Sequence, residues 1–214
     1  MVKSKKRTNN SSRLRKTKNS RTNPRTFIHK SIYQKQGKYG TGTYANSNIP
    51  TGTVIIKETP HTIIGEPNTI EYKFKLIKAL LKTNRPQFMD LVPLELPEEH
   101  NVIYDDALRA IHQKYFPELD KDTFILYTLK YKRNAFNLNN NPGILFFATK
   151  LNHSCNPNVK YYKEGSQMWF ETKRPIKADD EIFDSYISTG DTKAERQESL
   201  RSRYGFECQC DECA

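Results

Sequence analysis

The four cysteines of the 214-residue chain are the side chains whose type and spacing most directly indicate chemistry. Cys208, Cys210 and Cys213 form a Cys-x-Cys-x-x-Cys group at the end of the sequence, and Cys155 lies far upstream. Four thiolates suit zinc, which takes four soft ligands in a tetrahedron. Disulfides, with three possible pairings, and free thiols are the alternatives. Because we expect an intracellular protein, in which disulfides are rare, zinc is the favoured interpretation.

Three blocks of sequence carry further groups that can bind a ligand. Residues 151–158 read Leu-Asn-His-Ser-Cys-Asn-Pro-Asn, residues 176–186 end in Asp-Ser-Tyr, and residues 203–210 read Arg-Tyr-Gly-Phe-Glu-Cys-Gln-Cys. Each block alone has an ordinary structural interpretation. His153 can be a structural loop histidine, Tyr186 can pack in the core at a strand end, and Gly40-Thr41-Gly42 can be any tight turn.

Taken together and in this order, these blocks resemble the SET-domain protein lysine methyltransferases. The similarity is greatest to the branch that usually also carries a MYND zinc finger. It covers residues 27–65 and 130–213, which are joined by a segment with little sequence signal. The resemblance implies a mainly β fold with a helical insertion. Small sheets surround a threaded C-terminal segment in this fold, and a short zinc-binding post-SET tail follows.

The resemblance also implies a site for S-adenosylmethionine next to a channel for the substrate lysine, with structural zinc nearby. A glycine turn lets the cofactor approach the backbone closely. The implied cofactor-binding residues are Gly40, Thr41, Gly42, Asn134, Asn152, His153, Tyr186 and Phe206. Tyr186 is also the implied catalytic tyrosine, the implied channel walls are Phe136 and Tyr204, and the implied zinc ligands are Cys155, Cys208, Cys210 and Cys213.

The chain departs from the family pattern at three points. Asp179 stands where the family usually has glycine before an acidic pair, and we expect this change to lie in a turn outside the site. All four cysteines are assigned to one zinc site, so none remains for a MYND finger. Only Ala214 follows Cys213, so we expect the helical C-terminal domain of many relatives to be missing.

The elements that must position these residues follow from hydrophobic periodicity. Residues 27–65 predict short strands joined by tight turns, and strands are also predicted at 143–148, 159–162, 168–171 and 181–183. Residues 66–134 predict a helical insertion, irregular at 85–100 where three prolines occur, and residues 192–203 permit a further helix. Three helices are predicted in this insertion. The first two are indicated by apolar residues at helical spacing, Ile70, Phe74, Ile77 and Leu81 in one and Ala107, Leu108, Ile111 and Tyr115 in the other. The third would be capped by Asp120 or Asp122.

The net charge of +11 is concentrated at one end of the chain. Residues 1–25 hold ten basic and no acidic side chains, which leaves 25 basic against 24 acidic side chains in residues 26–214. The first segment is predicted to be a disordered basic tail, acting either as a solvated leader or as an arm that contacts nucleic acid or directs nuclear import. The predicted domains are this tail, a SET domain at 26–190 and a post-SET segment at 191–214.

The predicted function is S-adenosylmethionine-dependent methylation of lysine side chains in an extended protein segment, with a histone tail as the expected partner by analogy with the family. One alternative is a SET-fold binding module without catalysis. Another is a zinc protein associated with chromatin or nucleic acid, although the nearly neutral body argues against it. No signal peptide or apolar run of membrane length occurs, so we expect no membrane partner and an intracellular location in the nucleus or cytoplasm.

Overall fold

A computed structural model of the chain describes residues 26–67, 69–138 and 142–214, and the predicted basic tail at 1–25 lies outside this range. Two four-stranded sheets and a two-stranded ribbon form the β part, and four helices are inserted between its strands. The predicted arrangement of small sheets with a helical insertion is confirmed. The division into domains at 26–190 and 191–214 stays a prediction.

The first sheet has the strand order β1–β4–β9–β8, and all its neighbours are antiparallel. Its strands are β1 at Phe27–Ile28, β4 at Val54–Glu58, β8 at Val159–Glu164 and β9 at Gln167–Thr172. Strand β9 alternates buried and partly exposed residues, as expected for side chains that point to opposite faces of a strand. Ile56 of β4 and Phe170 of β9 are fully buried in the core between the sheets.

The second sheet positions the candidate site. Its order is β2–β3–β10–β7, with β2 at Ile32–Gly37, β3 at Gly40–Ala45, β7 at Asn152–His153 and β10 at Glu181–Asp184. Strands β2 and β3 form a hairpin that turns at Lys38 and Tyr39, and Gly40 and Gly42, predicted to lie in a turn, are instead the first and third residues of β3. Strand β10 pairs in parallel with β7, which places Phe183 opposite Asn152 and Asp184 opposite His153. This pair joins two sequence blocks that are distant along the chain.

The helical insertion comprises α1 at Ile70–Thr83, α2 at Arg85–Met89, α3 at Asp106–Tyr115 and α4 at Lys121–Asn134. Of the two predicted caps for α4, Asp120 is the one observed, and its carboxylate accepts from Thr123 N at 2.8 Å. The helices bury a separate apolar cluster in which Phe74 stacks on Phe124, with ring centroids 5.2 Å apart. Ile70 is 46% exposed despite its place in the periodic pattern, because it begins α1.

Two predicted segments differ from the structure. Residues 85–100 are not entirely irregular, because Pro86 lies in the first turn of α2, where a missing N–H is tolerated. Residues 143–148 are not one strand: only β6 at Gly143–Ile144 pairs, with β5 at Ala135–Phe136, and a 3-10 turn follows at Ala148–Lys150. The buried carboxylate of Glu58 accepts from Phe147 N and Ala148 N, both at 3.0 Å, so these donors are held in a turn rather than a sheet.

The C-terminal segment begins with α5 at Lys193–Tyr204, close to the predicted limits. Thr192 and Glu195 form a reciprocal capping box at its start, and Gly205 ends it in the left-handed conformation with φ of 78°. Leu200 is fully buried under the cysteine-bearing tail. None of the described helices combines the length and the apolar character needed to cross a bilayer.

Candidate active site

The four cysteines converge, as predicted. Their sulfur atoms all lie within 4.8 Å of one another, and Cys155 Sγ is 3.9 Å from Cys208 Sγ and 3.5 Å from Cys213 Sγ. Four sulfurs at the zinc–thiolate distance of about 2.3 Å from one ion would stand about 3.8 Å apart. The donor set and its spacing therefore fit a tetrahedral zinc ion, which Cys155, Cys208, Cys210 and Cys213 would hold.

The pKa values of these thiols differ, and despite burial that of Cys210 is lowered to about 7 by backbone and side-chain hydrogen bonds. Burial raises the pKa of the Cys155 thiol to about 11, and burial raises the pKa of Cys208 further. At neutral pH these two sulfurs would therefore keep their protons. A bound cation reverses this preference, because a coordinating thiol is deprotonated. When bound, zinc would supply folding energy by tying the C-terminal tail to the Cys155 loop.

His153 connects the cysteine cluster to Tyr186. Its Nδ1 accepts from the backbone N–H of Tyr186 at 3.1 Å, so we assign the proton of the neutral ring to Nε2. That nitrogen lies 3.4 Å from Cys155 Sγ, in position to donate to a sulfur. Burial, reinforced by the charge of Arg196, lowers the pKa of His153 to about 4, which keeps the ring neutral. Both ring nitrogens are occupied by these two partners, and the cofactor contact of His153 stays a prediction.

Asn152 is fixed by a carboxylate on the neighbouring strand. Its Nδ2 donates to Glu181 Oε1 at 2.7 Å. Gly42 lies against this pair, since a Cβ added there would clash with Glu181 Oε1 and stand 2.9 Å from Asn152 Nδ2. The second glycine of the predicted turn is thus required for packing behind Asn152. Gly40, with φ of 88°, needs the conformational freedom of glycine itself.

The Tyr186 hydroxyl points to the same loop. It donates to the carbonyl oxygen of Leu151 at 2.7 Å, and its ring lies 5.3 Å from that of His153 and 5.0 Å from that of Tyr204. Burial, followed by the nearby Asp184 carboxylate, raises the pKa of Tyr186 above its usual value of 10.0. The phenol therefore stays neutral at physiological pH, with an oxygen lone pair able to accept another hydrogen bond.

A cavity of about 1020 Å³ opens at the meeting point of these elements. Of the residues predicted for the cofactor and the channel, those in its lining are Gly40, Thr41, Asn134, Phe136, Asn152, His153, Tyr186, Tyr204 and Phe206. Gly42 lies beside the lining, behind Asn152. Asn134 is oriented by bonds from its Nδ2 to Val92 O at 2.6 Å and Lys130 O at 2.7 Å. The structure thus gathers the predicted residues around one space, and their individual roles stay predictions.

Aromatic rings form one wall of this cavity. The rings of Tyr186, Tyr204 and Phe206 form a triangle, with centroids 5.0, 6.4 and 6.5 Å apart. Phe136 meets Tyr161 edge to face at 6.0 Å on another side. A ring-lined space of this kind strips water from an alkyl chain and attracts a methylated ammonium through cation–π contacts, worth about 0.5–2 kcal/mol.

Sequence reasoning missed several lining residues, of which Tyr161, Asp184 and Arg133 carry polar or charged groups. Tyr161 belongs to β8 and was recognised only as part of a strand, although it is 40% exposed and lines the cavity. Asp184 and Arg133 also lie in the lining, on β10 and α4. Asp184 could have been noticed because it stands two residues before Tyr186. The face of the sheet on which its side chain lies depends on the pairing of β10 with β7, which the sequence does not reveal.

Comparison with known proteins identifies the family. The SET domain profile matches residues 40–187. The SET domain-containing protein L678 of Acanthamoeba polyphaga mimivirus is 32% identical over 189 residues, which are 82% of this chain and 74% of that protein. Histone-lysine N-methyltransferase set5 of Schizosaccharomyces pombe is 27% identical over 178 residues, which are 82% of this chain and 47% of that protein.

Two further proteins extend the comparison. N-lysine methyltransferase SMYD2 of Homo sapiens is 30% identical over 128 residues, which are 56% of this chain and 30% of that protein. The structure of Rubisco LSMT bound to AdoMet superposes with a TM-score of 0.58 at 14% identity, over 84% of this chain and 52% of that one. The latter likeness supports the fold alone. The chain spans about three quarters of the viral relative and less than half of the two methyltransferases found by sequence.

The fold, the cavity and the cysteine cluster define a SET-domain protein with a post-SET metal site. With the family profile and the viral relative added, the chain belongs to the SET-domain family, and the predicted SET fold is confirmed.

Proposed function

We propose that this protein transfers methyl groups from S-adenosylmethionine to lysine side chains of other proteins, with histone tails as the substrate class. The observation that carries the proposal is the position of the Tyr186 hydroxyl. It lies beside the Asn152–His153 loop, at a cavity with aromatic walls. When bound, S-adenosylmethionine would supply a methyl group on a positively charged sulfur. Asn152, the backbone of His153, Gly40 and Phe206 would hold it.

The chain's own residues account for what the reaction requires of the lysine. A lysine amine has to be neutral to act as a nucleophile, although its ordinary pKa is about 10.4. Burial among the rings of Phe136, Tyr161 and Tyr204 disfavours the charged form. The neutral hydroxyl of Tyr186 already donates to Leu151 O, so it can only accept from the amine. That bond directs the nitrogen lone pair away from Tyr186, and alignment of this kind is the main contribution a protein makes to such a displacement.

Charge around the cavity bears on the substrate class. Five basic and four acidic side chains line it, a mixture without a strong preference for a highly basic segment. Support for a histone tail therefore comes from relatives such as the histone-lysine N-methyltransferase of Schizosaccharomyces pombe, an argument by analogy. A histone substrate agrees with the intracellular location, nucleus or cytoplasm, that we propose.

The test is transfer of label from S-adenosylmethionine to protein. Core histones and a panel of single-lysine peptides with acidic, neutral or basic flanks are the substrates. We expect labelled histone, and we expect Tyr186→Phe to lower kcat/KM about 100-fold or more while the zinc content stays unchanged. Tyr162→Phe is the matched control, because this hydroxyl donates to Glu171 Oε2 at 3.1 Å outside the cavity lining.

Three results would contradict parts of the proposal. Binding of S-adenosylhomocysteine with no transfer to any substrate would favour a binding module that lacks catalysis. Transfer to acidic or neutral peptides but not to histones would retain the methyltransferase and exclude the histone assignment. Equal activity of Tyr186→Phe and Tyr162→Phe would remove the role given to Tyr186.

A further inference from the structure

Asp184 is a buried carboxyl that the mechanism described so far does not use. It is the last residue of β10, only 3% of its surface is exposed, and it belongs to the lining of the active-site cavity. One carboxylate oxygen, Oδ1, accepts from the backbone N–H of Ser185 at 2.7 Å. Carboxyl groups are rarely buried to this degree without a partner, so its surroundings indicate whether it has a structural or a chemical role.

Within residues 26–67, 69–138 and 142–214, no cation pairs with this carboxylate, and the Ser185 N–H is its single hydrogen-bond donor. Glu58, the other buried carboxylate in these ranges, accepts from two backbone N–H groups. The hydroxyls on which Asp184 acts, those of Tyr161 on β8, Tyr186 beyond β10 and Tyr204 on α5, are uncharged at neutral pH, and so is the ring of His153 on the paired strand β7. The charged residues of the same lining, Arg133 and Arg203 among them, form no ion pair with it.

The same tyrosines locate the carboxylate relative to the lysine channel. Its charge acts on the hydroxyls of Tyr161, Tyr186 and Tyr204, which come from three different segments around the cavity. All four residues line the same cavity, so the carboxylate and the three tyrosines face one space. An ammonium group entering between these rings would approach Asp184.

We propose that Asp184 receives the ammonium of the substrate lysine and accepts its proton before methyl transfer. This inference rests on the proposed function. One N–H bond of the ammonium breaks and its proton bonds to the vacant carboxylate oxygen of Asp184, while the electron pair of that bond stays on nitrogen as the lone pair that takes the methyl group. Asp184 then returns its proton to solvent, so the residue is unchanged after each turnover.

Two physical arguments support proton transfer in addition to ion pairing. Burial raises the pKa of Asp184 from 3.8 to about 7, although the Ser185 N–H opposes the shift. A base with this pKa is about half ionised at pH 7, is mostly ionised slightly above it, and accepts protons readily. Moreover, an ion pair withdrawn from water loses the hydration of both charges, and moving one proton converts it into two neutral groups.

The pH dependence of kcat/KM tests this role. Asp184 must be ionised to act, so wild-type activity is expected above its pKa and should decrease tenfold per unit as the pH falls below about 7. Asp184→Asn keeps the shape but has no base. We expect kcat/KM about 100-fold lower at pH 7.5. We also expect activity to rise tenfold per unit between pH 7 and 9, because neutral amine then forms only by loss of a proton from a lysine of pKa about 10.4 to solvent. Asp184→Glu should restore part of the activity, together with the decrease of kcat/KM at low pH.

A second measurement separates binding from folding effects. Peptides carrying lysine or its uncharged isostere norleucine are titrated into the protein in the presence of S-adenosylhomocysteine at pH 8. We expect wild type to prefer lysine by about tenfold, and Asp184→Asn to lose that preference, since a hydrogen bond to a charged group contributes about 1.5–3 kcal/mol. Glu58→Gln is the control: it removes a buried carboxylate outside the cavity lining and should leave the pH profile and the lysine preference unchanged.

The outcomes distinguish this inference from the proposed function. The role of Asp184 is refuted if wild type methylates protein but its kcat/KM does not decrease below about pH 7. It is also refuted if Asp184→Asn keeps both this decrease and the preference for lysine. In either case the proposed methyltransferase activity stands. If wild type binds S-adenosylhomocysteine and methylates nothing, the proposed function fails and this inference fails with it. If Asp184→Asn fails to fold, the pH dependence of kcat/KM in wild type and in Asp184→Glu still tests the role of Asp184.

Discussion

Replacing Gly42 by alanine tests whether the glycine turn supports the cofactor site by packing. An added Cβ would clash with Glu181 Oε1 and stand 2.9 Å from Asn152 Nδ2, so it would separate two groups now bonded at 2.7 Å. Overpacking costs about 1–3 kcal/mol. Loss of a hydrogen bond to a charged group costs about 1.5–3 kcal/mol. Because the two effects share one displacement, we expect a total near the upper end of either range.

The cost should appear in stability and in ligand affinity together. We expect Gly42→Ala to lower the free energy of unfolding by about 2–3 kcal/mol, measured by urea denaturation. We also expect weaker binding of S-adenosylhomocysteine by about tenfold or more in calorimetry, because Asn152 turns from its position at the cavity. The backbone of Gly42 is not left-handed, so conformational strain contributes nothing to these effects.

Gly165→Ala is the matched control. Gly165 has φ of 59° in the turn between β8 and β9, and a Cβ there would meet nothing within 4 Å. Its replacement should cost about 1–2 kcal/mol through backbone strain alone and leave ligand affinity unchanged. Wild-type affinity and stability in Gly42→Ala, or equal loss of affinity in both variants, would refute the packing argument.

Three further predictions concern the metal site, a turn and the tail. Cys155→Ser should abolish stoichiometric zinc measured by mass spectrometry, and a chelator should lower the unfolding temperature of wild type, because metal binding contributes to folding; a zinc content of one in the variant would contradict this. Asp179, exposed with φ of 68°, should be replaceable by glycine with a gain of up to about 1 kcal/mol in the free energy of unfolding, and a loss would show that its side chain stabilises the turn. Deleting residues 1–25, which hold ten basic side chains, should abolish salt-sensitive DNA binding in a mobility-shift assay; retained binding would locate the contact elsewhere.

Local sequence patterns predicted a large part of this fold. The β-branched residues of β4 and the periodic apolar residues of α1 and α3 indicated those elements, because burial of one face determines both pattern and structure. The apolar run at 143–148 was misread as a strand because such a run does not identify its hydrogen-bond partners. Glu58, distant in sequence, accepts the donors that a strand would have used.

The candidate site was predictable to the extent that its chemistry lies in compact motifs. The cysteine spacing indicated a metal cluster, and the block around Asn152 indicated a ligand loop. By contrast, Asp184 and Tyr161 follow no motif, and their place at the cavity depends on how separate strands pair. A shift of β10 by one residue against β7 would turn Asp184 to the opposite face.

The contacts of His153 explain how a metal that takes no part in the chemistry still acts on the active site. A thiolate at Cys155 would favour a proton on Nε2 of His153, 3.4 Å away, and this tautomer leaves Nδ1 free to accept from Tyr186 N at 3.1 Å. That bond fixes the backbone from which the Tyr186 ring extends, and the ring's hydroxyl returns to Leu151, next to the ligand loop. Disordering the cysteine cluster would therefore release the histidine, then the tyrosine backbone, and the cavity would lose its alignment before the core of either sheet was disturbed.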